Sequence, residues 1–307
     1  MPTIQPTNSL EVPRFAGIST FMRLPWITDL SQLDVALIGV PFDGGQSFRT
    51  GSRFGPNAVR QMSSGIKPYN AAMKIRPYDK FRVGDYGDFV TNPLSLEDSH
   101  RKITEQMDHV LKGNVLPISV GGDHSITLPI LRAIAKKHGT VALITFDSHH
   151  DTQDEYFGLK YGGGTPFRRA VEEKLIDPRK TVMIGLRGTV YEEKDYNYCA
   201  DQGIRTVMME EMYERGIAVA LEAMDRLRGE KCYVTFDIDG VDPAFAPGTT
   251  GPVPGGYSSA DAIRMIRHLK GFKAVGFDVV EVQPMYDSGG ITALLAATLA
   301  FEFLCTR

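Results

Sequence analysis

Cysteine is scarce in this chain. Three occur in 307 residues, Cys199, Cys232 and Cys305. The odd count and the lack of paired spacing argue against a disulfide framework and fit a reducing compartment. An excess of charge is also missing: 34 Lys and Arg stand against 37 Asp and Glu, for a net −3. That balance gives no electrostatic case for nucleic acid or an anionic membrane as partner. The first residues, M-P-T-I-Q-P-T-N-S-L-E-V-P-R-F, lack a basic stretch leading into an apolar one, so no secretory signal is expected. No apolar run is expected to reach the ~18 residues that a membrane span needs. No internal repeat, low-complexity tract or Gly-, Ser- or Pro-rich linker divides the chain. What remains is a cytoplasmic globular protein. One domain is expected over residues 1–307, with residues 1–30 an arm lying on the surface or on a neighbouring subunit.

What is present is a series of short, β-branched apolar runs: Val35 to Val40, Val115 to Val120, Val141 to Phe146, Val182 to Leu186, Tyr233 to Phe236 and Ala274 to Val280. Runs this short and apolar throughout read as strands buried on both faces. Between them, Leu96 to Leu111, Thr127 to Lys137, Ile217 to Arg228, Ser259 to Leu269 and Ile291 to Leu304 carry apolar residues at helical spacing. Ser258 or Ser259, with Asp261 after it, caps the fourth of these helices. Alternating strands and helices predict an α/β fold, a mostly parallel central sheet with helices on both faces.

Polar chemistry collects where the strands end, which is where ligands sit in open α/β sheets. One strand runs into G-G-D-H-S, with His124. Another runs into D-S-H-H-D, with Asp147, His149 and Asp151. A third runs into D-I-D-G-V-D-P, with Asp237 and Asp239. Spacing of i, i+2 puts the candidates of each group on one side of an extended backbone. Four carboxylates and two imidazoles from three strand ends, taken to be adjacent, suit Mn²⁺, and also Ni²⁺ or Co²⁺, rather than a structural zinc site. A lone D-x-D is as often a turn or cap, and a lone strand-end His is usually a hydrogen-bonded core residue. Burying six such groups together without cations, however, is strongly unfavourable. Six ligands exceed one ion's need, and a pair of ions about 3.5–4 Å apart activates water for attack at a planar carbon.

These three motifs resemble the signatures of the ureohydrolases, the family of arginase and agmatinase. R-F-G-P at 53–56, G-L-R-G at 185–188, P-A-F-A-P-G at 243–248 and F-D-V-V-E-V-Q-P at 277–284 resemble it too. P-R-F-A-G near the start and P-F-R-R-A-V-E-E at 166–173 are most similar to the agmatinase and guanidinobutyrase branch. The resemblance implies a three-layer α/β/α fold and two Mn²⁺ or Ni²⁺ ions. It implies hydrolysis of a guanidino compound to urea plus an amine, and a homo-trimer or hexamer, with a hetero-oligomer of related subunits as a variant. It assigns His124, Asp147, Asp151 and Asp239 to one ion and Asp147, His149, Asp237 and Asp239 to the other. Asp151 and Glu281 are the residues implied to act in catalysis, Glu281 by pairing with the substrate guanidinium. Asp242 reads as a turn residue.

The sequence departs from the family pattern in two places. Ser148 replaces an Ala inside the metal motif, a small change. In K-Y-G-G-G-T-P-F, Gly163 stands where relatives carry a His that relays protons or touches substrate. Glycine does neither and leaves space. The alternatives are slower hydrolysis of ordinary guanidino substrates, action on a larger one such as an N-alkylated guanidine or biguanide, or a weakly active, non-catalytic subunit. A one-zinc, deacetylase-like amide hydrolase is a further rival. His150 could stand in part for the missing relay, but it points away from its neighbours on strand alternation and reads as structural or as a support to the ligands. Substrate-tail contacts are expected from the loops Ser47–Thr50, Gln153–Tyr161 and Arg187–Thr189. Arg49 or Arg187 would meet a carboxylate tail, and Asp154 or Glu155 an amine.

Overall fold

The computed structural model describes residues 3–307. Its strands are β1 (Val35–Val40), β2 (Val83–Asp88), β3 (Leu116–Gly121), β4 (Val141–Phe146), β5 (Ile176–Leu186), β6 (Arg205–Met208), β7 (Lys231–Asp237) and β8 (Lys273–Val280). Its helices are α1 (Gly55–Ser63), α2 (Leu96–Lys112), α3 (Thr127–His138), α4 (Pro166–Glu172), α5 (Asn197–Gln202), α6 (Met209–Arg215), α7 (Ala218–Asp225), α8 (Ser259–His268) and α9 (Ile291–Cys305).

The strands form one sheet in the order β2-β1-β3-β8-β7-β4-β5-β6, and each pairing is parallel. Side chains alternate across it. Leu37, Ile144, Val182 and Val234 pack into one apolar layer with α1, α7, α8 and α9. Ile38, Leu143, Met183 and Tyr233 pack into the other, with α2, α3 and α4. Both faces of the central strands are thus dry, which is why these strands read as continuous apolar runs. The N-terminal arm joins the first layer through the buried Phe21, Met22 and Leu24. Ser258 caps α8, its hydroxyl accepting from Asp261 N at 3.1 Å.

Two expectations are corrected. The strand ends carrying His124, Asp147 and Asp237 are not three neighbours, because β8 lies between β3 and β7. The strand between them is the one that ends in Glu281. Second, residues Ser288–Cys305 are long and apolar enough to cross a membrane, with a mean hydropathy of 1.6. Two-thirds of that stretch is buried inside the fold. Its Glu302 is tied to Arg267 and Asn70. It is a core helix of the first layer.

Candidate metal centre

The sheet register sets the floor of the site. Phe146 pairs with Phe236, and Asp237 pairs with Val280. Asp147 and Asp237 therefore leave the sheet at the same height, and Glu281 follows one residue above. Beside them, β3 turns sharply at Gly121-Gly122. A Cβ on Gly122 would lie 1.7 Å from the Phe42 carbonyl oxygen, so only glycine allows this approach. The Gly122 carbonyl accepts from Glu281 N at 2.8 Å, which couples the β3 and β8 ends. Asp123 accepts from Gly45 N at 2.6 Å and draws the loop after β1 over the site.

All six residues expected as ligands meet at this floor. His124 Nδ1 lies 3.0 Å from Asp151 Oδ2, 3.1 Å from Asp147 Oδ2 and 3.2 Å from Asp237 Oδ2. His149 Nδ1 lies 3.0 Å from Asp239 Oδ2 and 3.6 Å from Asp147 Oδ1. Two His–carboxylate groups result, His124 with Asp147 and Asp237, and His149 with Asp147 and Asp239. Asp147 belongs to both. The geometry revises the implied division at one point: Asp237 sits with His124, and Asp239 with His149.

The donor set calls for cations. His124 Nδ1 and Asp147 Oδ2 are fully buried, and despite the close carboxylates neither makes a well-aligned hydrogen bond among the described residues. Such orphaned polar atoms are costly in a dry interior. Burial opposes charge on His124, yet the carboxylates of Asp147, Asp151 and Asp237 hold its pKa well above the ordinary value. Burial would also raise Asp147, but His124 and His149 on its two sides hold it below the usual carboxylate range. Asp151 is pushed up to about 6 by burial and by Asp147. Asp237 is raised well above its ordinary value by burial and by the charges of Asp239 and Asp147. The residues present therefore fit a pair of divalent ions.

Glu281 stands beside the floor, 5% exposed. Its Oε1 accepts from His124 N at 2.8 Å, Thr250 donates to Oε2, and Gln46 Nε2 reaches both oxygens at 2.7 and 2.6 Å. Burial and the nearby Asp123 push its pKa up to about 8. Glu281 and Asp151 both adopt left-handed backbone, with φ of 67° and 49°. A non-glycine residue is held there only when its surroundings over-determine it, and such strain gathers at functional sites.

Above the floor opens a cavity of about 700 Å³, inside the size range of small-molecule pockets. The expected loops do line it, through Ser47, Phe48, Tyr156, Tyr161 and Thr189. The individual tail residues expected from sequence do not. The Arg187 guanidinium donates to the backbone carbonyls of Gly185, Asp239, Gly240 and Val253, so it braces the loop beneath Asp239. Asp154 is paired with Arg168 and Arg169. Arg49 stacks on Tyr286 and Phe48 and is outside the cavity lining. Lys160, Glu97 and Gln46 line the cavity instead. Sequence reading missed them because each sits in a loop or on the first turn of α2, with no periodicity to mark which way it faces.

Gly163 lies in the lining, its N–H bonded to the Gly45 carbonyl at 2.9 Å. A Cβ built there would meet Glu281 Oε1 at 4.0 Å, an ordinary contact. The position therefore faces Glu281 and has room for a side chain. His150 is buried away from the floor, bonded to Thr152 through Nδ1 and edge-on to Tyr196, the structural place expected of it. Asp242 accepts from the backbone N–H of Ala244, Gly255 and Gly256, a turn residue as expected.

A fold of parallel strands with a shared acidic floor at their carboxyl ends matches a known class. Residues 33–306 match the model of the arginase family. The chain is 50% identical over 303 residues to guanidinopropionase from Pseudomonas aeruginosa, covering 98% of this chain and 95% of that protein. It is 46% identical to guanidinobutyrase from the same organism, covering 98% and 96%. The structure of proclavaminate amidino hydrolase from Streptomyces clavuligerus superposes with a TM-score of 0.91 at 40% identity, over 96% of this chain and 98% of that one. The chain belongs to the arginase family.

Proposed function

We propose that the chain is a two-metal hydrolase that cuts a C–N bond of a guanidino compound and releases urea, or a urea derivative, plus an amine. It is a hydrolase of linear amidines. One observation carries the two-metal reading: two His–carboxylate groups share Asp147 at the floor of a cavity walled by Glu281. A one-zinc amide hydrolase needs a single group. His124, Asp147, Asp151 and Asp237 would hold one divalent ion, and Asp147, His149 and Asp239 the other. The oxygen-rich set suits Mn²⁺ or Ni²⁺. When bound, the two ions lower the pKa of water and polarise the carbon under attack.

The chain's own residues do the rest. The substrate's planar cation favours the ionised form of Glu281 against burial, and the carboxylate then pairs its two oxygens with two N–H groups. Its donors, Thr250 and His124 N, fix the plane of that carboxylate. Asp151, 3.0 Å from His124 Nδ1, would accept the proton given up by the attacking water and pass it to the departing amine. Tyr156, Tyr161 and Phe48 wall the cavity above the reacting atoms.

Gly163 supports a second reading. With no side chain at position 163, the cavity admits a bulkier amidine, such as an N-alkylated guanidine or a biguanide. Exposed Leu10, Phe15 and Ile18 on the N-terminal arm support a subunit contact, as in a trimer or hexamer. The test is urea release from a panel of agmatine, guanidinobutyrate, guanidinopropionate, arginine, guanidine and an alkylated biguanide, each with Mn²⁺ and with Ni²⁺. Turnover of at least one linear guanidine is expected. Turnover of the biguanide alone selects the second reading, and no turnover of any of them contradicts both.

A further inference from the structure

Behind His124 lies a second buried network that the proposed chemistry does not use. Asp278, on β8, is fully buried. Its Oδ2 accepts from Tyr233 OH at 2.7 Å and Thr127 Oγ1 at 2.9 Å. Its Oδ1 accepts from the Thr235 hydroxyl. No cation is paired with Asp278 among the described residues. Thr235 Oγ1 in turn lies 2.9 Å from His124 Nε2.

The protons can be counted. The ionised Asp278 carboxylate only accepts, so each of the three hydroxyls spends its single proton on it. Thr235 is left with lone pairs alone on the side facing His124. Nε2 must then carry a hydrogen. The other ring nitrogen, Nδ1, faces Asp147, Asp151 and Asp237 at 3.0–3.2 Å. Thr235, Asp278 and Tyr233 are all 0% exposed, so no water competes for these bonds.

We propose that Thr235 and Asp278 are positioning residues that fix the Nε2–H tautomer of His124 and so aim the Nδ1 lone pair into the carboxylate cluster. In its effect on metal this rests on reading His124 as a ligand. Its effect on the ring does not. A hydrogen-bond partner on the far nitrogen is what orients an imidazole toward a metal, and losing it weakens binding by about 10–100-fold.

The test uses Thr235→Val, Thr235→Ser and Asp278→Asn, each shown to be folded by its thermal transition. Two readouts are taken. Histidine-selective ¹⁵N spectra of the metal-free chain, taken at a pH high enough for the His124 ring to be neutral, report which of its nitrogens carries the remaining proton. Equilibrium dialysis against buffered Mn²⁺ counts ions per chain. In the wild type and Thr235→Ser, Nε2 stays protonated and binding is unchanged. In Thr235→Val the Nε2 preference is lost and one of the two ions binds about 10–100-fold more weakly. Asp278→Asn does the same, because the amide donates to Thr235 and turns its proton toward His124. If Thr235→Val keeps the wild-type spectrum, or Thr235→Ser is as impaired as Thr235→Val, the proposal is overturned. If the spectra change as expected but the wild type holds no ions, the tautomer assignment stands and the metal reading falls.

Discussion

The floor and the mouth of the cavity are built in opposite ways. The floor is set by backbone register at the ends of β3, β8, β7 and β4. Its side chains are charged and mutually dependent, and all but His149 are buried. The mouth is set by loops, among them residues 44–50 and 156–164. Its side chains are exposed or half-buried and include the aromatics Phe48, Tyr156, Phe157 and Tyr161, with Lys160 and Glu97 as isolated charges. The floor can do one kind of chemistry, whereas the mouth decides what reaches it. A change at the floor should therefore abolish activity for every substrate, and a change at the mouth should re-rank substrates.

The largest effect is expected from Asp237→Asn. It should lose metal and activity together, with kcat down on the order of 10²–10³-fold or more, the scale of removing one preorganised electrostatic group. Full activity with normal metal content would break the ligand assignment. Glu281→Gln should keep both ions yet cost about 2–5 kcal/mol in transition-state binding for every guanidino substrate, as when one member of a buried charge pair is truncated. Metal analysis beside kcat/KM separates it from Asp237→Asn. Gly163→His joins floor and mouth. It should raise turnover of small linear guanidines by up to ~10²-fold, the lower end for a positioned acid or base. Loss of a bulkier activity instead would show that the glycine is there for space.

Two smaller effects belong to the mouth. His100 packs edge-on to the cavity residue Tyr161, and burial and Arg132 hold its pKa down at about 3. Its ordinary value is 6.5. The unfolded chain therefore binds a proton that the folded chain refuses between those two values. Stability from this group is intact above pH 6.5 and falls by about 1.4 kcal/mol per unit as pH drops toward 3. Denaturant titrations at pH 7 and pH 5 should show a smaller loss for His100→Gln than for the wild type. Lys160→Ala should raise KM only a few-fold for substrates with a carboxylate tail, since exposed ion pairs contribute about 0.2–1 kcal/mol. Unchanged KM for all of them would exclude Lys160 from tail recognition.

The same contrast explains what the sequence reveals. The interior strands were legible because both their faces are apolar, and with them came the polar residues at their ends. The two strands without a sequence signal, β2 and β6, are the two edges of the sheet. Val83–Asp88 reads V-G-D-Y-G-D and is buried only over its first three residues, and Arg205–Met208 is four residues long. Neither carries a run long or apolar enough to register. Strand adjacency was not legible either. Nothing in the motifs says that β8 returns between β3 and β7 to set Glu281 beside the floor. The mouth was hardest to read. Arg187 looked like an anion binder, yet its charge is spent on backbone carbonyls. Gln46, which caps Glu281, sits in a loop where no pattern points inward. Gly163 was the exception, because a motif on either side of it fixed its place.

The central claim is a shared two-ion floor, and ion counting against activity tests it most directly. Metal-free protein titrated with Mn²⁺ and with Ni²⁺ should bind two ions per chain, with urea release rising only as the second ion fills. Full turnover with one ion bound, or no ions bound at all, would contradict it.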